Sequence, residues 1–239
     1  MAAVILEAKG LTKEYAGLKA NTDIDFQLTR GKITALIGPN GAGKSTFVGM
    51  LCGRIPPTRG EVFFDGQNIS NYPAHARIGL GIAYTFQITS VFAGLSLHEN
   101  VALAARRKLK GPALNVKVAS VLERVGLSDR ADQLASDLSY GHQRILEIAM
   151  GLAQDPKLFI LDEPTQGLAE SEAQDFITLM KDLVGDTTIL LIEHNMQVVM
   201  QTADLVTVMD QGEILAQGTP EEIHADVRVQ AAYLGTVDA

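Results

Sequence analysis

Ile33-Thr34-Ala35-Leu36-Ile37-Gly38-Pro39-Asn40-Gly41-Ala42-Gly43-Lys44-Ser45-Thr46 is the stretch on which the fold turns. Its first five residues form a compact apolar run ending at a glycine, the pattern of a buried central strand. The next eight match Gly-x-x-x-x-Gly-Lys-Ser, a phosphate-binding loop. Residues 45–51 then read as a helix. A strand before and a helix after separate this loop from an ordinary glycine-rich surface turn. Gly38, Gly41 and Gly43 allow the backbone to turn tightly and aim its N–H groups at phosphate oxygens. Lys44 offers a point charge to the outer phosphates and Ser45 a hydroxyl to Mg²⁺. The helix start adds its positive dipole end. Pro39, Asn40, Ala42 and Thr46 complete the candidate nucleotide-binding segment.

Further on, Leu158-Phe-Ile-Leu-Asp162-Glu163 reads as a buried strand closed by two carboxylates. Alone, such a pair is an ordinary solvated strand end. Downstream of a phosphate loop, Asp162 reads as a holder of Mg²⁺ and Glu163 as the general base that polarises the attacking water.

Around these motifs, strands are expected at residues 4–6, 22–28, 62–64, 188–192, 205–209 and 213–216. Gln211-Gly212 reads as a hairpin turn. Residues 97–109 and 116–125 carry apolar residues at helical spacing, and 170–183 reads as a further helix. Strands and helices alternating in the last third imply parallel βαβ units. The 239 residues, 46% hydrophobic and 20% charged, suffice for one large α/β domain. The formal net charge of −8 argues against a nucleic-acid partner, which needs a basic face. The one cysteine, Cys52, excludes an internal disulfide. Neither a signal peptide nor a membrane-spanning helix is expected. His75, His98 and His224 show no metal-ligand spacing. The run Arg106-Arg107-Lys108 reads as a solvated helix face.

Taken together, the chain resembles the nucleotide-binding subunits of ABC transporters over nearly its whole length. Leu138-Ser139-Tyr140-Gly141-His142-Gln143 looks like the family's signature motif, Gln87 its glutamine loop, His194 its switch histidine and Tyr15 its adenine-stacking aromatic. The resemblance implies an α/β P-loop NTPase of the ABC type. Its mostly parallel core sheet would carry an N-terminal antiparallel β subdomain and an inserted α-helical subdomain. Residues 1–87 and 155–218 would form the core with the β subdomain, 88–154 the helical subdomain and 219–239 a C-terminal helical extension.

The resemblance also implies ATP and Mg²⁺, with Glu163, His194, Gln87 and Lys44 catalytic and Ser45, Gln87 and Asp162 at the metal. Ser139 and Gly141 would face the ATP of a second ATPase subunit. Transmembrane permease subunits at the cytoplasmic face of the membrane, and indirectly an extracytoplasmic solute-binding protein, complete the implied partners. Residues 218–235 are similar to the importer ATPases for branched-chain amino acids and urea. Tyr140 replaces the signature's usual glycine, His142 stands where glutamine is usual, and Ala169 replaces a polar residue in the loop facing the partner. The competing classes are a soluble ABC ATPase acting on ribosomes or DNA, and a regulatory subunit with degenerate catalysis. The acidic balance opposes the first, and Glu163 with His194 opposes the second.

Overall fold

The computed structural model describes residues 3–85 and 89–234. It opens with a long hairpin, β1 (Val4–Tyr15) and β2 (Leu18–Thr29). β3 (Ile33–Ile37) leads through the phosphate loop into α1 (Lys44–Leu51). β4 (Arg59–Phe64), β5 (Gln67–Asn68), α2 (Ala74–Leu80) and β6 (Ile82–Tyr84) follow. The helical stretch contains α3 (Leu97–Ala105), α4 (Pro112–Arg124) and α5 (Tyr140–Leu152). The chain then alternates: β7 (Leu158–Asp162), α6 (Glu170–Leu183), β8 (Thr188–Ile192), α7 (Met196–Thr202) and β9 (Leu205–Asp210). β10 (Glu213–Gly218), α8 (Pro220–Ala225) and α9 (Val227–Leu234) close it.

Two sheets result. One is antiparallel, in the order β2-β1-β4-β5; the other runs β10-β9-β3-β8-β7-β6. The second is parallel from β9 through β6, with β10 antiparallel at its edge. β3 and β8 are buried along their whole length, as central parallel strands covered on both faces must be. Alternation splits their side chains between layers. Phe159, Leu161, Ile189 and Leu191 face α5 and α6 in a core continuous with α3 and α4. Leu36, Leu158, Ile160, Leu190 and Ile192 face α1 and the antiparallel sheet. There Phe26 meets Phe47 edge-on, with ring centroids 5.3 Å apart.

α1 is also fixed at its far end. The buried Arg77 guanidinium donates to Met50 O at 2.8 Å and Leu51 O at 2.6 Å, tying down the carbonyls of the last turn. The topology brings the ends of β3, β7 and β8 to one edge of the sheet. Asp162 pairs with Ile192, and Ile192 with Leu36. The residues that follow these strands therefore share one site.

Candidate functional site

Gly43 is the N-cap of α1, at φ 93°. A Cβ there would sit 2.5 Å from Ala20 O, so the phosphate loop can lie against the β2 hairpin only with glycine in place. Asn21, buried, donates to Gly43 O at 3.3 Å, and Gly212 N donates to Ala42 O at 3.1 Å. The loop is thus braced from β2 and from the β9–β10 turn. Lys44 Nζ curls back to donate to Gly38 O at 2.5 Å and Pro39 O at 3.0 Å.

Asp162 and Glu163 close β7 beside this loop. Burial pushes the Lys44 ammonium below its ordinary value, against the pull of Glu163 and Asp162. Burial also pushes the Asp162 carboxyl up, opposed by a hydrogen bond from Tyr84 and reinforced by the Glu163 charge. A lysine and a carboxyl each disfavoured in charged form are relieved together by a phosphate and a cation. Among the described residues no group of three or more His, Cys, Asp or Glu could hold a metal by itself. Asp162 and Ser45 are hard oxygen donors. One carboxylate completed by substrate phosphates is the donor set Mg²⁺ takes, so the residues fit that ion.

Glu163 sits at φ 48°, a left-handed backbone that costs a non-glycine residue about 1 kcal/mol or more. Its Oε1 lies 3.8 Å from His194 Nδ1. The strained turn is held from below: the fully buried Arg144 of α5 donates to Asp162 O at 2.8 Å and Glu163 O at 2.9 Å, and pairs with Glu147 at 2.8 Å. The neighbouring Glu193 is also buried. It accepts from Thr165 N and Oγ1 (3.1 and 2.5 Å) and from the backbone N–H groups of His194 and Asn195 (3.1 and 3.2 Å).

The structure therefore brings Lys44, Asp162, Glu163 and His194 together. Gln87 lies outside the described residues. Tyr15 ends β1 and is 46% exposed, with the Lys13 ammonium 4.9 Å from its ring centroid. Ser139 and Gly141 gather around Glu172 of α6. Ser139 caps α5, accepting from His142 N at 3.3 Å. Its hydroxyl lies 2.7 Å from His142 Nδ1 and donates to Glu172 Oε1 at 3.4 Å. A Cβ at Gly141 would fall 2.4 Å from Glu172 Oε2. Ala169 caps α6 without a side-chain acceptor, and only Glu172 returns a bond, from Ala169 N at 2.9 Å.

Sequence reasoning did not single out Tyr84, Arg54, Arg144 or Glu193. Glu193 had a signal: a carboxylate directly after a wholly apolar strand. Arg144 and Glu147 had a weaker one, opposite charges three apart on an apolar helix. Tyr84 and Arg54 had none.

A braced phosphate loop, a carboxylate pair on a neighbouring strand end and an adjacent histidine define a P-loop nucleoside triphosphatase. The sequence profile described as ABC transporter matches residues 21–166, and that of the branched-chain amino acid ATP-binding cassette transporter matches 213–239. The chain belongs to the ABC transporter family and is one of its ATP-hydrolysing subunits. It is 37% identical over 254 residues to the high-affinity branched-chain amino acid transport ATP-binding protein LivG of Escherichia coli strain K12, covering 98% of this chain and 99% of that one. It is 34% identical over 234 residues to the lipopolysaccharide export system ATP-binding protein LptB of Haemophilus influenzae, covering 97% of each. Among solved structures it resembles the ADP conformation of MJ1267, an ATP-binding cassette of an ABC transporter. That match has a TM-score of 0.88 at 28% identity, over 98% of this chain and 99% of that one.

Proposed function

We propose that this ATPase energises import of a small polar solute, branched-chain amino acids first and urea or a similar metabolite next. The observation that carries the reading is the match of residues 213–239 to the branched-chain amino acid cassette profile. The chain as a whole resembles the amino-acid and lipopolysaccharide ATPases to similar degrees, 37% and 34%.

In this reading Gly38 to Thr46 cradle the phosphates, Lys44 neutralises the outer ones and Tyr15 stacks on adenine. Ser45, Asp162 and Gln87 hold Mg²⁺, which supplies charge neutralisation at the phosphate oxygens. Glu163 takes the proton of the attacking water, and His194 fixes that water and the outer phosphate. Ser139 and Gly141 complete the site of a second ATPase subunit. Residues 1–87 and 155–218 act as the nucleotide core, 88–154 as the helical subdomain that docks on permease subunits, and 219–239 as a C-terminal extension. An extracytoplasmic binding protein delivers solute. No helix of the described residues is long and apolar enough to cross a membrane. In this reading the permease holds the subunit at the cytoplasmic face.

The test is reconstitution with the permease and binding protein in liposomes. ATP-driven uptake of leucine or urea is the expected result; ATP turnover without uptake of either overturns the solute reading. Glu163→Gln should lower turnover by about 10²-fold or more while leaving ATP bound. Undiminished turnover in that variant would remove Glu163 from its role.

A further inference from the structure

Asp162 is held by more than its own strand. β6 lies beside β7 with Tyr84 opposite Ile160. From there the Tyr84 phenol reaches two residues forward and meets Asp162 Oδ2 at 2.5 Å. The next residue, Thr85, takes the Asp162 backbone: its Oγ1 accepts from Asp162 N at 3.3 Å. Tyr84 is itself held. Arg54 Nη2 donates to the phenol oxygen at 3.0 Å, and the guanidinium carbon stands 4.3 Å from the ring centroid. Arg54 follows α1, the helix that begins at Lys44, and its backbone N–H is bonded to Gly49 O at 2.9 Å.

A carboxylate accepts only, so the phenol proton goes to Asp162 Oδ2, and the phenol lone pairs receive the Arg54 N–H. This bond occupies one lone pair of Oδ2 and orients the carboxylate. Oδ1 is the oxygen left to a cation. A one-oxygen carboxylate suits Mg²⁺, which demands near-octahedral geometry. Ca²⁺ accepts two-oxygen carboxylates and looser shells.

We infer that Tyr84, pinned by Arg54, is a positioning residue that holds Asp162 as a one-oxygen ligand and so sets the preference of the nucleotide site for Mg²⁺ over Ca²⁺. This rests on the reading that Asp162 holds the ion.

The experiment titrates Mg²⁺ and Ca²⁺ against a fluorescent ATP analogue bound to the full chain. The variants are Tyr84→Phe, Arg54→Met and Asp162→Asn, each checked for folding by thermal unfolding. Tyr84→Phe removes one oxygen atom and keeps the ring. Its half-saturation for Mg²⁺ should rise about tenfold or more, as loss of a ligand's orienting partner does. The rise for Ca²⁺ should be smaller, so the Mg²⁺/Ca²⁺ ratio falls. Arg54→Met should shift the ratio the same way by less. An unchanged Mg²⁺ half-saturation in Tyr84→Phe, or equal weakening toward both ions, overturns the inference. If Asp162→Asn itself leaves both ions unaffected, the metal-ligand reading has failed instead.

Discussion

At the scale of single residues, the site divides into groups that chemistry ties to a sequence spacing and groups that it does not. Lys44, Ser45, Asp162 and Glu163 were legible because each sits at the end of an apolar strand or inside a fixed loop pattern, whereas His194 was marked only by the family resemblance. Tyr84 and Asp162 are 78 positions apart, and nothing local marks a bond across that distance. Arg144 and Glu193 were only weakly marked for a related reason: apart from Glu147 and the Thr165 hydroxyl, their partners are backbone groups, which carry no residue identity. Cys52 gives a prediction at this scale. Burial pushes its thiol up to about 12, against the nearby Arg54 and Arg77 charges. Only ~10⁻⁴ of it is then thiolate near pH 8, so a thiol reagent should label the native chain far more slowly than the unfolded one. Between the ordinary value of 9.0 and about 12, the unfolded chain loses this proton while the fold keeps it. Stability therefore falls as pH rises through that window, and Cys52→Ala should flatten the slope in alkaline denaturation curves.

Among the elements, the buried strands were read almost to their ends, since short apolar runs bounded by Gly or Asp leave little freedom. The first hairpin was not. Residues 4–6 and 22–28 were expected, while β1 and β2 span twelve residues each. Register shifts between Ala8 and Leu11 and between Leu11 and Lys13, with positive φ at Gly10 and Asp23, interrupt the alternation that pattern reading depends on. α3 stops at Ala105 rather than 109, and the basic run beyond it forms a turn. β6 is three residues long, too short to register as a period. α5 carries the element-scale prediction. Arg144→Met takes from the buried Glu147 its arginine partner and from the Asp162–Glu163 turn its two guanidinium bonds. Chemical denaturation should show a loss of about 3–5 kcal/mol. The double variant with Glu147→Leu should recover part of it. Loss of the half-buried α3 cap, Ser96, whose hydroxyl accepts from Glu99 N at 3.1 Å, would by contrast cost only about 1 kcal/mol.

For the whole molecule, each ATP site in the proposed pair takes Lys44 from one subunit and Ser139 from the other. In a pair made of this chain with itself, Lys44→Ala and Ser139→Arg should each be inactive alone. Mixing them should restore phosphate release, because half of the sites in a mixed pair keep both residues intact. A mixture as silent as its components would show that the sites are not shared. Within one subunit, Glu193 ties Thr165, on the loop after β7, to His194 and Asn195, on the loop after β8. Detaching either loop takes two of the four bonds from a buried carboxylate, so each loop raises the cost of releasing the other. The posture of the histidine and that of the threonine loop beside it are thereby coupled through one shared carboxylate.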